Sequence, residues 1–217
     1  MANRTIVITG GSQGLGLAFV QAFAGQEWQV LATGRSPQPD TFPADAHYHQ
    51  FDAADAAACE AFWQQVKQDR SDAEVCLINN AGGYVAGGPL EAKPEDFVAQ
   101  MTANYFTAVY MTRGLVKTLP KARIINVISS SALAAESENP AYGAAKAAEK
   151  YFFQALQQEF SPDKYQITNL YPSYIATHDP NPDAIDPKDL AAFVRATAES
   201  NASYYLRDVT LYPVKRA

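Results

Sequence analysis

Short apolar runs alternate with longer helical stretches along this chain, and that alternation restricts the fold more than any other feature. The runs at 4–9, 28–33, 47–51, 74–78, 123–128, 166–170 and 209–212 read as strands. The stretches at 15–24, 54–68, 95–118, 142–160 and 187–198 read as helices. Several runs are apolar at consecutive positions, as in Ile6-Val7-Ile8, which suits strands covered on both faces. Repeated strand–helix–strand units imply an α/β architecture: a doubly wound, parallel sheet of about seven strands with helices on both faces. Pro94 and Pro187 stand at expected first turns, with Pro120 and Pro162 just past helix ends. The Pro-rich pieces 36–43 and 179–187 are loops, and no break in composition marks a second domain, so residues 1–217 are read as one domain.

Composition narrows the function. At 217 residues and 47% hydrophobic, the chain can bury a core without a metal or disulfide staple. Its net charge of −6, without a basic run, is not the footprint of a nucleic-acid or anionic-membrane binder. No stretch approaches the ~18 apolar residues of a membrane span. Cys59 and Cys76 form neither a disulfide framework nor a Cys-x-x-Cys pair, and Cys76 reads as a small core residue. With no secretory leader at the start, a reducing, cytoplasmic setting is expected. His47 and His49 share a strand face but have no third ligand beside them, so no metal is expected.

Directly after the first strand comes Thr9-Gly10-Gly11-Ser12-Gln13-Gly14-Leu15-Gly16. Glycines at 10, 14 and 16 allow a sharp turn, close approach of a pyrophosphate and tight packing of the next helix. The helix N-terminus then offers N–H groups and a positive dipole end to the phosphates.

This Gly-x-x-x-Gly-x-Gly spacing, with Asn79-Asn80-Ala81-Gly82 after a later strand and Tyr142-x-x-x-Lys146 on a later helix, resembles the short-chain dehydrogenase/reductase family. The resemblance runs from Thr5 to about Thr177 and implies a Rossmann-like fold binding a nicotinamide dinucleotide. It also implies cofactor contacts from Gly10, Ser12, Gln13, Gly14, Leu15 and Gly16 in the loop. Asn80, Ala81 and Gly82 would line the adenosine side. Asp52, at the end of the third strand, would touch the adenine, although it equally suits a helix cap. The second strand ends Gly34-Arg35-Ser36, without the carboxylate that an NAD site places near the ribose 2′-OH. Arg35 offers a fork for a 2′-phosphate and Ser36 a hydroxyl, so NADP(H) is expected ahead of NAD(H). Gln13 departs from the Lys or Arg that many NADP-type relatives carry in the loop.

Tyr142 and Lys146, four apart, share one helix face. Carbonyl reduction needs a proton donor at oxygen as hydride reaches carbon, and an ammonium beside a phenol eases proton exchange. The resemblance also assigns Lys146 to the nicotinamide ribose. It places the carbonyl-polarising serine thirteen residues before the tyrosine, at Ser129, three after Asn126. Ser130 fits if the connecting loop differs by one residue, and Ser131 reads as a loop residue or cap. Asn104 matches the asparagine that holds a water linking the lysine to solvent. Ile175, through its backbone, and Thr177 match contacts to the carboxamide, while Ser173 replaces the usual glycine.

The expected activity is therefore interconversion of a carbonyl and an alcohol on a small-molecule substrate. The alternative is a nucleotide-binding regulator or redox sensor that kept the fold and lost turnover. Tyr84, Tyr174 and His178 are candidates for the substrate rim, or plain loop residues. Val109, Met111, Phe152 and Phe153 suit either a core or the helix face by which relatives form dimers and tetramers. The final strand lacks the Asp-Gly-Gly ending frequent in relatives. Between Thr177 and Pro187 only a brief link stands where relatives carry a longer lid, which implies an open pocket with broad substrate acceptance.

Overall fold

β1 (Arg4–Thr9) is buried from Thr5 onward, and the rest of the sheet is laid down on either side of it. The computed structural model describes residues 4–69, 74–177 and 181–214. After β1 come α1 (Gly14–Phe23), β2 (Trp28–Gly34), β3 (Ala46–Gln50), α2 (Ala56–Asp69) and β4 (Glu74–Asn79). The second half holds α3 (Pro94–Gln100), α4 (Thr107–Thr118), β5 (Ala122–Val127), α5 (Pro140–Glu159), β6 (Tyr165–Pro172), α6 (Pro187–Glu199) and β7 (Asp208–Leu211). The sheet order is β3-β2-β1-β4-β5-β6-β7, and every pairing is parallel. The doubly wound α/β arrangement expected from the alternation is present.

Alternate residues of the inner strands β1, β2, β4, β5 and β6 feed two cores. Val7, Leu31, Leu77 and Ile124 meet Trp63, Met111, Leu115 and Phe153 of α2, α4 and α5. Ile6, Ile8, Ile78 and Ile125 meet Phe19, Phe23, Leu190 and Val194 of α1 and α6. Both faces being covered explains why the strands read as unbroken apolar runs. Val109, Met111 and Phe153 lie in the core and Phe152 packs against it, so the fold itself uses these four side chains. Cys76 is fully buried in β4, as expected.

The stretch expected as one helix over 95–118 is divided. α3 and α4 are joined by a π-helical turn at Met101–Phe106, which includes Asn104. An extra residue in the turn leaves the apolar period nearly intact, so periodicity does not reveal it, yet such turns concentrate at functional sites. Pro94 and Pro187 do open α3 and α6, and Pro140 opens α5 two residues before the expected start. α2 is capped by Asp55, whose Oδ1 accepts from the N–H groups of Ala57 and Ala58. Asp52 instead accepts from Ala54 N in the preceding turn, so the capping role open to it falls to Asp55.

β1 has β2 on one side and β4 on the other, so the loops leaving β1 and β4 diverge from a single crevice at the carboxyl edge of the sheet. Ligands of open α/β sheets bind at such a switch point.

Candidate active site

Thr9 closes the floor of the crevice. Its hydroxyl accepts from the N–H groups of both Asn80 and Ala81 at 2.9 Å and donates to Ile78 O at 3.4 Å. The Asn80 side chain donates to Thr9 O at 3.0 Å. One hydroxyl thus joins the glycine loop to the loop after β4, a role the motif reading did not give it. Its signal was its place as the last residue of β1.

The glycine loop turns at Gly10, where φ is +68°, a backbone conformation that disfavours any residue with a Cβ. Gly16 is required by space: a Cβ there would stand 2.0 Å from Gly10 O. α1 follows, and Gln13 at its N-cap gives no side-chain cap to the first turn. The end of β2 lies against this loop, since Gly11 N donates to Thr33 O at 3.0 Å. Arg35 and Ser36 are exposed there, with their carbonyls held by Gln50 and Tyr48. Asp52 is also exposed.

Thr177 faces the loop from the segment after β6: a Cβ on Gly14 would lie 3.7 Å from the Thr177 Cβ. The segment after β6 is pinned by Ser173 N to Leu211 O at 2.8 Å, and Ile175 bridges to Ile185. Ser173 therefore serves as a continuation of the β6–β7 pairing. The brief link is thus anchored on both sides of residues 178–180. His178, a candidate rim residue, lies outside the described residues, whereas Tyr174 is exposed.

Asn104, 1% exposed, faces the loop after β4. Its Nδ2 donates to Gly83 O and Gln100 O at 3.0 Å and to Gln100 Oε1 at 3.1 Å, and its Oδ1 accepts from Gly83 N at 3.4 Å. The π-helical turn turns this side chain inward, and Gln100 is an orienting partner that the motif did not reveal.

Ser129 follows β5 and caps a short 3-10 turn, Ser130–Ala132, its Oγ accepting from Ser131 N at 3.1 Å. The cap is thus Ser129, while Ser131 donates to Glu136 at 3.1 Å. Glu136 also accepts from Asn139 Nδ2 at 2.7 Å, which ties this loop to the start of α5. Gly87 N donates to Glu138 O at 2.9 Å, so the loops after β4 and β5 form adjoining walls.

On α5, Tyr142 is half-buried and Lys146 is 4% exposed. The Lys146 Nζ lies 5.9 Å from the Tyr142 ring centroid, and Tyr84 packs edge-on to that ring at 5.3 Å. Lys146 Nζ donates to Val127 O at 3.1 Å and to Glu149 Oε2 at 2.9 Å. Burial alone would push the lysine pKa down, but Glu149 and Tyr142 outweigh it and raise it above the usual value. Burial raises the Glu149 carboxyl, and Lys146 opposes that rise only in part.

A cavity of about 440 Å³ lies at the opposite, amino edge of β5 and β6, lined by Arg123, Gln166, Tyr204 and Tyr205 among others. Its Arg123 is engaged by Ala198 O, Ser200 O and Glu74, and the cavity takes no part in the crevice.

The short chain dehydrogenase family model matches residues 4–183. Dehydrogenase/reductase SDR family member 7B of Bos taurus is 30% identical over 196 residues, 81% of this chain and 59% of that protein. The chain therefore spans under two thirds of the length of that relative. The NADP-dependent 3-hydroxy acid dehydrogenase YdfG of Shigella flexneri is 26% identical over 179 residues, covering 78% and 72% of the two chains. An alcohol dehydrogenase from Thermococcus sibiricus, solved with 5-hydroxy-NADP, superposes with a TM-score of 0.85 at 19% identity, covering 99% of this chain and 98% of that one. No helix among the described residues is long and apolar enough to cross a membrane. With the family model covering most of its length, this chain belongs to the short-chain dehydrogenase/reductase family.

Proposed function

We propose that this protein is an NADP(H)-dependent oxidoreductase interconverting a carbonyl and an alcohol on a small to medium organic substrate. One domain, residues 1–217, would carry both the cofactor and the catalytic groups. The observation that carries the reading is the Tyr142–Lys146 pair: a half-buried phenol and a buried ammonium on one helix face, beside the end of β5.

The residues present fit a dinucleotide. The glycine loop has no room for a Cβ at Gly16, and α1 starts without a side-chain cap. Gly10, Ser12, Gln13, Gly14, Leu15 and Gly16 would cradle the pyrophosphate at that helix start. Arg35 and Ser36, exposed at the end of β2, would take a 2′-phosphate. Asp52, Asn80, Ala81 and Gly82 would line the adenosine, and Ile175 and Thr177 the carboxamide. The bound dinucleotide supplies or accepts hydride at the substrate carbon. Tyr142 passes the proton to or from the substrate oxygen, which Ser129 holds by its hydroxyl. Lys146 keeps a positive charge beside the phenol and binds ribose hydroxyls. Asn104, oriented by Gln100 and Gly83, supports the water that replenishes the proton. NADP(H) preference is supported by Arg35 in place of a carboxylate and by the NADP-dependent relative. The short 178–187 link supports an open pocket with broad substrate acceptance.

The test is NADPH consumption across a panel of aldehydes and ketones, with binding followed by fluorescence quenching. Tyr142→Phe is expected to lose at least about 100-fold in turnover while still binding NADPH. Arg35→Ala is expected to lose about tenfold in its preference for NADPH over NADH. Tight binding with no consumption of any compound would transfer the reading to a nucleotide-binding regulator. Parent-level turnover by Tyr142→Phe would overturn the mechanism.

A further inference from the structure

Glu149 is a buried ionisable group that the proposed chemistry leaves without a role. It sits one turn beyond Lys146 on α5, 2% exposed, with its Oε2 2.9 Å from Nζ. Burying an ion pair costs desolvation on both sides, and an apolar residue of similar volume is often no worse for stability. An ammonium has three N–H groups. Here Glu149 and Val127 O take two of them from different directions, which leaves the third for a ligand and fixes where it points.

The surroundings of the pair are nearly uncharged. Tyr142 faces it from α5 itself, and Tyr171 faces it from β6, with its hydroxyl donating to Asp208 of β7 at 2.8 Å. The π-helical turn brings only Tyr105, in ring contact with Phe152 of α5. Of the charged groups of α3 and α4, Glu95, Arg113 and Lys117 are exposed, and the half-buried Asp96 accepts from Lys93 N at 2.9 Å. Glu149 is therefore the only carboxylate among the described groups that is hydrogen-bonded to the ammonium.

We propose that Glu149 is a positioning residue, holding the Lys146 ammonium as a fixed, buried ion pair so that the lysine meets the cofactor ribose already charged and already aimed. This inference rests on the reading of Lys146 as a cofactor-binding lysine. Without the carboxylate, burial would favour loss of the lysine proton, and cofactor affinity would acquire a dependence on pH that the native pair suppresses.

The experiment measures the dissociation constant of NADPH or NADH, whichever the wild type holds tighter, by fluorescence quenching from about pH 7 to about pH 9.5. Wild-type affinity is expected to stay within about twofold across that range, while Glu149→Gln weakens about tenfold toward its upper end. Glu149→Asp, which keeps the charge, restores the flat profile, and Lys146→Met binds weakly with a flat one. A Glu149→Gln profile that matches the wild type overturns the inference and leaves the cofactor reading standing. A tenfold weakening in the wild type itself also overturns it, and that measurement needs no variant to fold. Failure of the wild type to bind either dinucleotide at any pH overturns the cofactor reading, and the inference with it.

Discussion

Asn79 donates its side-chain amide to Asn126 Oδ1 at 2.9 Å, directly across the β4–β5 pairing. The relation repeats along the register. Asn126 donates to Asn169 on β6 at 2.8 Å, and Asn169 to Asp208 on β7 at 3.1 Å. Thr112 of α4 meets Asn79 at the inner end at 2.9 Å, and Tyr171 meets Asp208 at the outer end. This polar ladder runs beneath the site, where strand ends must hold their spacing for groups on separate loops to converge. The chain of amide donations is continuous, although Asn79 Oδ1 is buried without a partner, and such networks rigidify a core to the extent that their members are satisfied.

Removing the middle rung is therefore expected to be costly. Asn126→Ala leaves the Asn79 amide with Thr112 alone and Asn169 Oδ1 without its donor, and should destabilise the fold by about 2–4 kcal/mol. Urea denaturation of the two proteins measures it. A loss below about 1 kcal/mol would mean that the ladder is incidental.

Gly16→Ala places a Cβ where Gly10 O already stands. The loop must open to admit it, so NADPH affinity should fall by about tenfold or more, with a smaller loss of stability. Affinity by fluorescence quenching and a thermal melt separate the two effects.

Both cysteines should resist thiol reagents in the native state. Burial pushes Cys59 up to about 12, with help from Asp55 and Asp52, and burial pushes Cys76 up to about 12 as well. Since the thiolate is the reactive form, a disulfide reagent at neutral pH should titrate neither thiol until the protein is unfolded. Rapid native labelling of either one would contradict this.

His49 predicts a pH-dependent stability. Burial lowers its pKa, His47 lowers it further, and Asp69 opposes both. Below the unfolded value of ~6.5 the unfolded chain binds more protons than the folded one, so stability falls as the pH drops toward the folded pKa. Above ~6.5 this contribution is fully present and flat. His49→Gln should flatten the melting temperature measured between about pH 5 and about pH 7 relative to wild type.

Several features were legible in the sequence because they depend on neighbours in the chain. Apolar runs of strand length, Pro94 and Pro187 at helix starts, and the glycines at 10 and 16 announce themselves locally. The spacing of Tyr142 from Lys146 does the same, because four residues on a helix make one face. Other features answer to partners far along the chain. The π-helical turn at 101–106 has almost the same apolar period as a helix, and only the hydrogen bonds of Asn104 with Gly83 disclose where that side chain is held. Asp52 and Asp55 are interchangeable as caps until the first helical turn is placed.

By its own local chemistry, the sequence determined the α/β alternation, the glycine loop and the residue types that family membership rests on. The tertiary structure alone decided that Thr9 latches the loop after β4, that Val109, Met111 and Phe153 serve the core, and that Glu149 meets Lys146 out of water. The reason is that periodicity records which residues face one way, whereas burial and pairing are set by what packs against that face. A carboxylate three residues beyond a lysine is ordinary on an exposed helix and becomes a buried ion pair only where the fold covers both side chains.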